Sequence, residues 1–331
     1  MATRIIAEIA QGYEGRADYC DFYVRAAAKA GADAVKFQIV YADDVAEPGY
    51  QYYEWFKKLE MDLSVWKAAK ARAVEKNILL FTDVSGDRAL RVAEAIKPDG
   101  IKIHSSNFFN RAVIRKAFDI AGHVFVSLGG VAAEEIEGLI SDVKSWNGLD
   151  RLTLLYGFQS EPTPVASSNL ARLPHIRARF PDIGLGYLDH VDGKDPDRLH
   201  VSVMAMALGA DWIEKHLTIS RFLEIEDYVS ALEPDEFADY VTTIRRLEGA
   251  FGPADMALND GEKRYRDKAV KKLIAARDLE KGRAISIDDI EFKRTPRIAE
   301  YAGFHNPAGV LGRKAARKIA AGEPILADDV A

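Results

Sequence analysis

Cysteine is nearly absent. Cys20 is the only one in 331 residues, which excludes an intramolecular disulfide framework and a thiolate metal cluster and fits a reducing compartment. It lies in a helical pattern, where a lone thiol ordinarily serves as a small apolar filler. Long apolar runs are absent too: no segment approaches the roughly 18 uncharged residues that a membrane span needs. The N-terminal "MATRIIAEIAQGYEG" lacks the apolar stretch of a secretory leader. A cytoplasmic location with no membrane partner is the expectation. Positive charge is not in excess either, since 45 Lys and Arg stand against 51 Asp and Glu for a net charge of −6. Nucleic acid is therefore not the expected partner, because phosphate binding wants Lys and Arg clustered on one face. What the chain does have is 48% hydrophobic residues, enough core for two domains rather than one.

Short apolar runs alternate with amphipathic stretches. Strands are predicted at "RIIAEIA" (4–10), "AVKFQIV" (34–40), "ILLFTDV" (78–84), "GIKIHSS" (100–106), "HVFVSLG" (123–129), "RLTLLYGF" (151–158), "IGLGYLDH" (183–190) and "DWIEKHL" (211–217). Between them lie helical patterns such as "DYCDFYVRAAAKAG", "DRALRVAEAI" and "AAEEIEGLISDVKSW", with apolar residues at three- and four-residue spacing and Gly or Asn at several stops. Eight strand-then-helix units in about 250 residues fit a closed (β/α)8 TIM barrel. A doubly wound open sheet is the alternative, but it usually carries a glycine-rich phosphate loop after its first strand, and "AEIAQGYEG" is not one.

In such a barrel, catalytic groups come from the C-terminal ends of the strands. Those ends supply Glu14, Lys36 and Gln38, Thr82 and Asp83, Lys102 and Ser105, Ser127, Asp189 and His190, and finally Glu214, Lys215 and His216. Only the sixth strand ends without such a group. The "EKH" triplet is expected to point into the barrel mouth. His190 and His216 fall on adjacent strands, so two imidazoles could hold one divalent ion with open positions beside it. Asp189 or Glu214 could fix the second ring nitrogens.

Residues 1–252 form the predicted catalytic domain. A polar stretch, 253–272, reads as a linker with some helix, and 273–331 as a small second domain of short strands and turns. Within it "LIAARDLEKGRAISIDDIEFKR" and "GVLGRKAARKIAAGEPILADDV" share one pattern: an apolar run, a basic turn and an apolar-acidic end.

The stretches "AEIAQGYEG", "AGADAVKFQ", "KIHSSN", "VSLGGVAAEEIE", "PTPVASSNL", "GYLDHVDG", "ALGADWIEKHLT", "EDYVSALEPDEF" and the C-terminal "LIAARDLEKGRAISIDDIEFKR" together resemble the sialic acid synthase family of nonulosonate synthases, over nearly the whole chain. The resemblance implies a TIM barrel followed by an antifreeze-like (SAF) domain, in a homodimer whose SAF domains close each other's barrels. It implies a condensation of phosphoenolpyruvate with the aldehyde of an amino sugar to a 2-keto-3-deoxy nonulosonic acid plus phosphate. His190 and His216 would hold a divalent metal, Mn²⁺ foremost, with Mg²⁺ or Co²⁺ possible. Lys36, Thr82, Lys102, Ser105, Ser127 and Asn169 would bind phosphoenolpyruvate. Gln38, Asp227 and an arginine of the partner's SAF domain, Arg294 or Arg297, would bind the sugar. Glu14 would move protons.

The chain departs from the family pattern at Leu188, where a serine hydroxyl is usual, at Asn107, where a carboxylate is common, and at Tyr228. Two other readings stand beside the synthase: an aldolase or lyase on the same barrel, using Lys36, Lys102 or Lys215 as a Schiff base, and a non-catalytic carbohydrate-binding scaffold.

Overall fold

The computed structural model describes residues 3–294 and 304–331. Eight parallel strands, β1 (Arg4–Ala10), β2 (Ala34–Ile39), β3 (Leu79–Val84), β4 (Gly100–Ile103), β5 (Val124–Ser127), β6 (Leu152–Tyr156), β7 (Gly184–Asp189) and β8 (Trp212–His216), close into one barrel in sequence order. Helices between the strands cover its outside. This is the predicted TIM barrel, and the chain divides into compact units at 1–252 and 253–331.

The helices form where the periodicity placed them. In Ala17–Ala30 the buried residues Cys20, Tyr23, Val24, Ala27 and Ala30 make one stripe. The helix stops at Gly31, whose φ of 83° suits glycine and lets its N–H cap Ala27 and Ala28. Cys20 is buried in that stripe, and burial pushes its thiol up to about 12. It packs rather than reacts.

The pleat sorts each strand between two environments. On β1, Ile5, Ala7 and Ile9 face the helices, whereas Ile6 faces the barrel axis. Ile6, Phe81, Phe125, Leu155 and Trp212 plug the interior together, with ring centroids of Phe81 and Phe125 5.0 Å apart and Trp212 5.5 and 5.1 Å from them. Leu188 belongs to this apolar cluster. Among the described residues, no helix is long and apolar enough to cross a membrane.

In the second unit β9 (Lys272–Ala275) pairs antiparallel with β10 (Ile290–Lys293) over a core that includes Leu273, Leu279, Ile285, Ile319 and Ile325. The stretch expected as a linker contains the helix Asp260–Ala269, started by a capping box between Asn259 and Glu262. The repeated pattern noted above has a structural counterpart. Arg277 donates to Asp289 at 2.6 Å, and Arg317 to Asp329 at 2.6 Å. Backbone and side-chain hydrogen bonds from Ser286, with Arg277, overcome burial and hold Asp289 down at about 2.

Because Trp212 is nearly fully buried in the barrel plug, Trp212→Ala is expected to lower stability by about 3–5 kcal/mol. The measurement is a lower urea midpoint at unchanged m-value; an unshifted midpoint would show that the plug carries no weight.

Candidate active site

Directly above the plug the inward positions turn ionic. Register pairs Glu8 with Lys36 and His216, Asp83 with Lys102, and Leu188 with Glu214. Lys36 lies between Glu8, with which it makes a close ion pair, and Glu214 at 2.9 Å. Lys102 sits 2.9 Å from Glu214 and 3.8 Å from both Glu8 and Asp83. All five side chains are buried.

Three carboxylates against two ammonium groups cannot all keep their charge cheaply at low dielectric. Glu8 yields: burial, only partly offset by Lys36 and reinforced by Glu214, pushes its carboxyl up to about 7. Burial would also raise Glu214, but Lys102 and Lys36 overcome it and hold that carboxyl well below its ordinary range. Burial disfavours the charge on Lys102, yet Glu214, Glu8 and Asp83 outweigh it and keep the ammonium charged.

Over this layer opens a cavity of about 430 Å³. His190 and His216 face each other across it with ring centroids 5.0 Å apart, and Glu161 completes a set whose ligand atoms all lie within 4.8 Å of one another. Burial and then the Lys102 charge push His190 down to about 4; burial and His190 push His216 well below its ordinary value. Both rings are therefore neutral near pH 7, with lone pairs available. The Nδ1 of His190 is buried without a hydrogen-bond partner among the described residues. An orphaned donor atom, two neutral imidazoles and a carboxylate fit a divalent cation. The second ring nitrogens are not held as expected. Asp189 bonds Val191, Ser202 and Lys215, and Glu214 pairs with the two lysines; Asp227 is the carboxylate beside His216, 3.5 Å from its Nδ1. Burial and the neighbouring Glu161 and Glu226 carboxylates push Asp227 well up.

Of the residues expected at the site, Gln38, Lys102, His190, His216 and Asp227 line this cavity. Lys36 lies fully buried in the ionic layer and does not line it. Ser105 and Ser127 meet at Gln159, donating to its Oε1 at 2.9 and 3.4 Å. Thr82 is a correction: it pairs with Phe37 and Ile101 in register, on the face packed against the helices, and its buried hydroxyl has no partner among the described residues. The cavity-facing residue of β3 is Asp83. Asn169 is exposed, with its amide donating to Ser167 at 2.8 Å. Gln159 meets the two serines in its stead. Lys215 does not point into the mouth either. The pleat turns it outward, where it donates to Asp189 at 3.0 Å and to the Val191 carbonyl at 2.8 Å. Glu14 is partly buried and outside the cavity lining. Arg294 is exposed and donates to the Ala269 carbonyl at 3.3 Å; Arg297 lies outside the described residues. Asn107 sits in a short 3₁₀ turn, its N–H bonded to His104.

The sixth strand, read as contributing nothing, is followed by the loop that carries both Gln159 and Glu161. Gln159 also reaches His104 Nε2 at 3.3 Å, so it ties together the loops after β4, β5 and β6. A Cβ on Gly129 would come within 2.0 Å of its Oε1, so any larger residue there would displace the Gln159 side chain. The signal was the polar "QSE" of 159–161, directly before the "PTP" that the motif reading used.

The NeuB family profile matches residues 23–255, and the SAF domain profile matches 271–331. The chain belongs to the NeuB family. Its relatives in this family of sialic and nonulosonic acid synthases include an uncharacterized protein of Methanocaldococcus jannaschii, 30% identical over 90% of this chain and 86% of its own. Another is the N,N'-diacetyllegionaminic acid synthase of Campylobacter jejuni, 28% identical over 88% and 90%. Among solved structures, the N-acetylneuraminic acid synthetase of Leptospira borgpetersenii, crystallised with citrate, superposes with a TM-score of 0.74 at 27% identity, over 81% of this chain and 93% of that one. The spore coat polysaccharide biosynthesis protein SpsE of Bacillus subtilis gives 0.66 at 25%, over 100% and 95%. In this NeuB-family barrel, the ionic floor makes a prediction of its own. The folded pKa of Glu8 is raised from 4.5 to about 7, so its contribution to stability is present below pH 4.5 and is lost as pH rises towards about 7. Comparing denaturation of the wild type with Glu8→Gln, the difference should drift against the wild type across that window and then level off. A pH-independent difference would refute the shift.

Proposed function

We propose that the chain is a synthase that joins phosphoenolpyruvate to the open-chain aldehyde of an amino sugar, giving a 2-keto-3-deoxy sugar acid and phosphate. The observation that carries this reading is one cavity lined both by a metal-fitting set, His190, His216 and Glu161, and by the cationic Lys102 and the Gln159 amide, whose Oε1 accepts from Ser105 and Ser127. Anion binding needs a fixed cation with hydrogen-bond donors around it, and the second group supplies both. A divalent ion on the first group, Mn²⁺ or alternatively Mg²⁺ or Co²⁺, would supply Lewis-acid polarisation of the aldehyde oxygen.

The chain's own residues do the rest. Lys102 holds the substrate anion, and Gln38 accepts from and donates to the sugar. Carbon–carbon bond formation leaves an alkoxide that must gain a proton, and addition of water to C2 must lose one. We assign this exchange to Asp227, whose carboxyl lines the cavity and is pushed up towards neutrality, rather than to Glu14 outside it.

A Schiff-base aldolase is disfavoured. Lys102 stays charged, Lys36 is bracketed by two carboxylates, and Lys215 is buried against Asp189 on the outer face. Lys36 and Lys215 do not line the cavity, and the Lys102 ammonium, which does, keeps its charge. The test is phosphate release from phosphoenolpyruvate across a panel of hexoses, N-acetylhexosamines and diacetamido sugars. Chelation should abolish turnover and Mn²⁺ restore it, and His190→Ala and His216→Ala should each remove most activity with the fold intact. Full activity in the presence of chelator would sink the metal assignment.

The cavity reaches the surface at half-exposed Tyr50, and a reactive oxocarbenium-like species there would need shielding from water. We propose a two-fold dimer in which residues 273–331 close the partner's barrel and Arg294 or Arg297 reaches the sugar. Mixing inactive His216→Ala chains with inactive Arg294→Ala, Arg297→Ala chains should restore activity in the heterodimer, because one of its two sites then carries neither defect. Verified heterodimers without activity would refute the crossing.

A further inference from the structure

Lys215 takes no part in the chemistry above, yet it is fully buried and stands between Glu214 and His216 in the chain. Its ammonium lies on the outer face of the barrel, 3.0 Å from Asp189 Oδ1 and 2.8 Å from the Val191 carbonyl. These two partners flank His190.

The backbone they enclose is pinned. Val191 N–H donates to Asp189 Oδ1 at 2.9 Å, and the His190 carbonyl accepts from Thr163 N–H and from the Ser230 hydroxyl, each at 2.8 Å. Ser202 donates to the other Asp189 oxygen, and Tyr240 donates to Ser202 at 2.9 Å. The helices His200–Ala207 and Pro234–Glu248 thus brace the carboxylate from behind. On the neighbouring strand, the His216 carbonyl accepts from Leu232 N–H at 2.9 Å.

The His190 ring has no such support. Its Nδ1 has no hydrogen-bond partner among the described residues, whereas metal-binding imidazoles are usually oriented through the nitrogen that does not bind the ion. The placement of this ring therefore rests on the backbone of 189–191, and that backbone rests on a side chain from the strand that carries His216. Replacing a buried ion pair by uncharged groups of similar shape is often neutral for stability, so joining the two strands does not by itself call for these charges. Building on the metal assignment above, we propose that Lys215 is a positioning residue: it spans β7 and β8 behind the cavity and sets His190 against His216, 5.0 Å apart between ring centroids. Without it both imidazoles remain, but an ion has to order them on binding.

The experiment titrates Mn²⁺ alone into full-length, chelator-stripped protein and follows the free ion by electron paramagnetic resonance. No turnover enters the readout. Asp189→Asn with Lys215→Met removes both charges and keeps an acceptor for Val191 N–H, whereas Lys215→Met alone would strand a buried carboxylate. The double variant should bind Mn²⁺ about 10- to 100-fold more weakly, with a urea midpoint close to that of the wild type. Tyr240→Phe, at the far end of the same hydrogen-bond chain, controls for destabilisation: it should lower the midpoint and leave Mn²⁺ affinity unchanged. Undiminished affinity in the double variant overturns the proposal, as does an equal loss in Tyr240→Phe. Should the double variant not fold, Lys215→Arg, which keeps the charge and displaces the donors, is read in the same way. If the wild type binds no Mn²⁺, Mg²⁺ or Co²⁺, the metal assignment fails instead. Crystal structures of the wild type and the variant then decide this proposal alone: His190 and His216 rings moved apart or split between conformers support it, and rings in their wild-type places overturn it.

Discussion

The buried contact of Glu214 with Lys36 and Lys102 is the constraint on which the rest of the site depends. It spans the barrel, joining β8 to β2 and β4 through one carboxylate. Ions taken this far from water stay only if their partners are in place, so the register of those strands has to be right before the cavity above can exist. The apolar plug beneath has the complementary role. Trp212, Phe81 and Phe125 keep water out from below, which strengthens every charge interaction in the layer above. Neutral imidazoles at His190 and His216 follow from the same arrangement, since burial and the nearby cations disfavour a further positive charge on either ring.

Much of this was legible in the sequence. All eight strands lie within a residue or two of their predicted limits, apart from the C-terminal end of β4, which stops three residues short, because alternation of apolar runs with helical stripes is a strong signal when it repeats eight times. Side-chain direction was less legible. "EKH" shows three ionisable groups but not which way each points, and the pleat sends Glu214 and His216 inward and Lys215 outward. The same parity separates Thr82 from Asp83. Had the period of two been applied residue by residue from Trp212 and Phe81, both assignments would have followed. Asn169 failed for another reason. Motif order placed it near the anion pocket, whereas its left-handed φ of 46° and exposure belong to a turn. Gln159 and Glu161 escaped notice because a loop carries no periodicity to betray the direction of its side chains.

The second unit shows how far repetition in a sequence can be read as architecture. Its two halves end in Asp289 and Asp329, each accepting from a turn N–H three residues back and from an arginine twelve back. The basic turn and acidic ending are thus two ends of one bond. Each half places its arginine and aspartate so that a short chain with few regular strands still closes on itself.

Gln159 and Glu161 share one short segment, and their two positions serve different halves of the cavity. The first is tied to the serines after β4 and β5, the second to the imidazoles after β7 and β8. A displacement of that segment cannot reach one half without disturbing the other. In the proposed synthase the two reactants would therefore not be read by independent recognition elements. On the synthase reading proposed above, whatever settled against Gln159 would also bear on the placement of Glu161, with the loop after β6 as a crossbeam between the two sides.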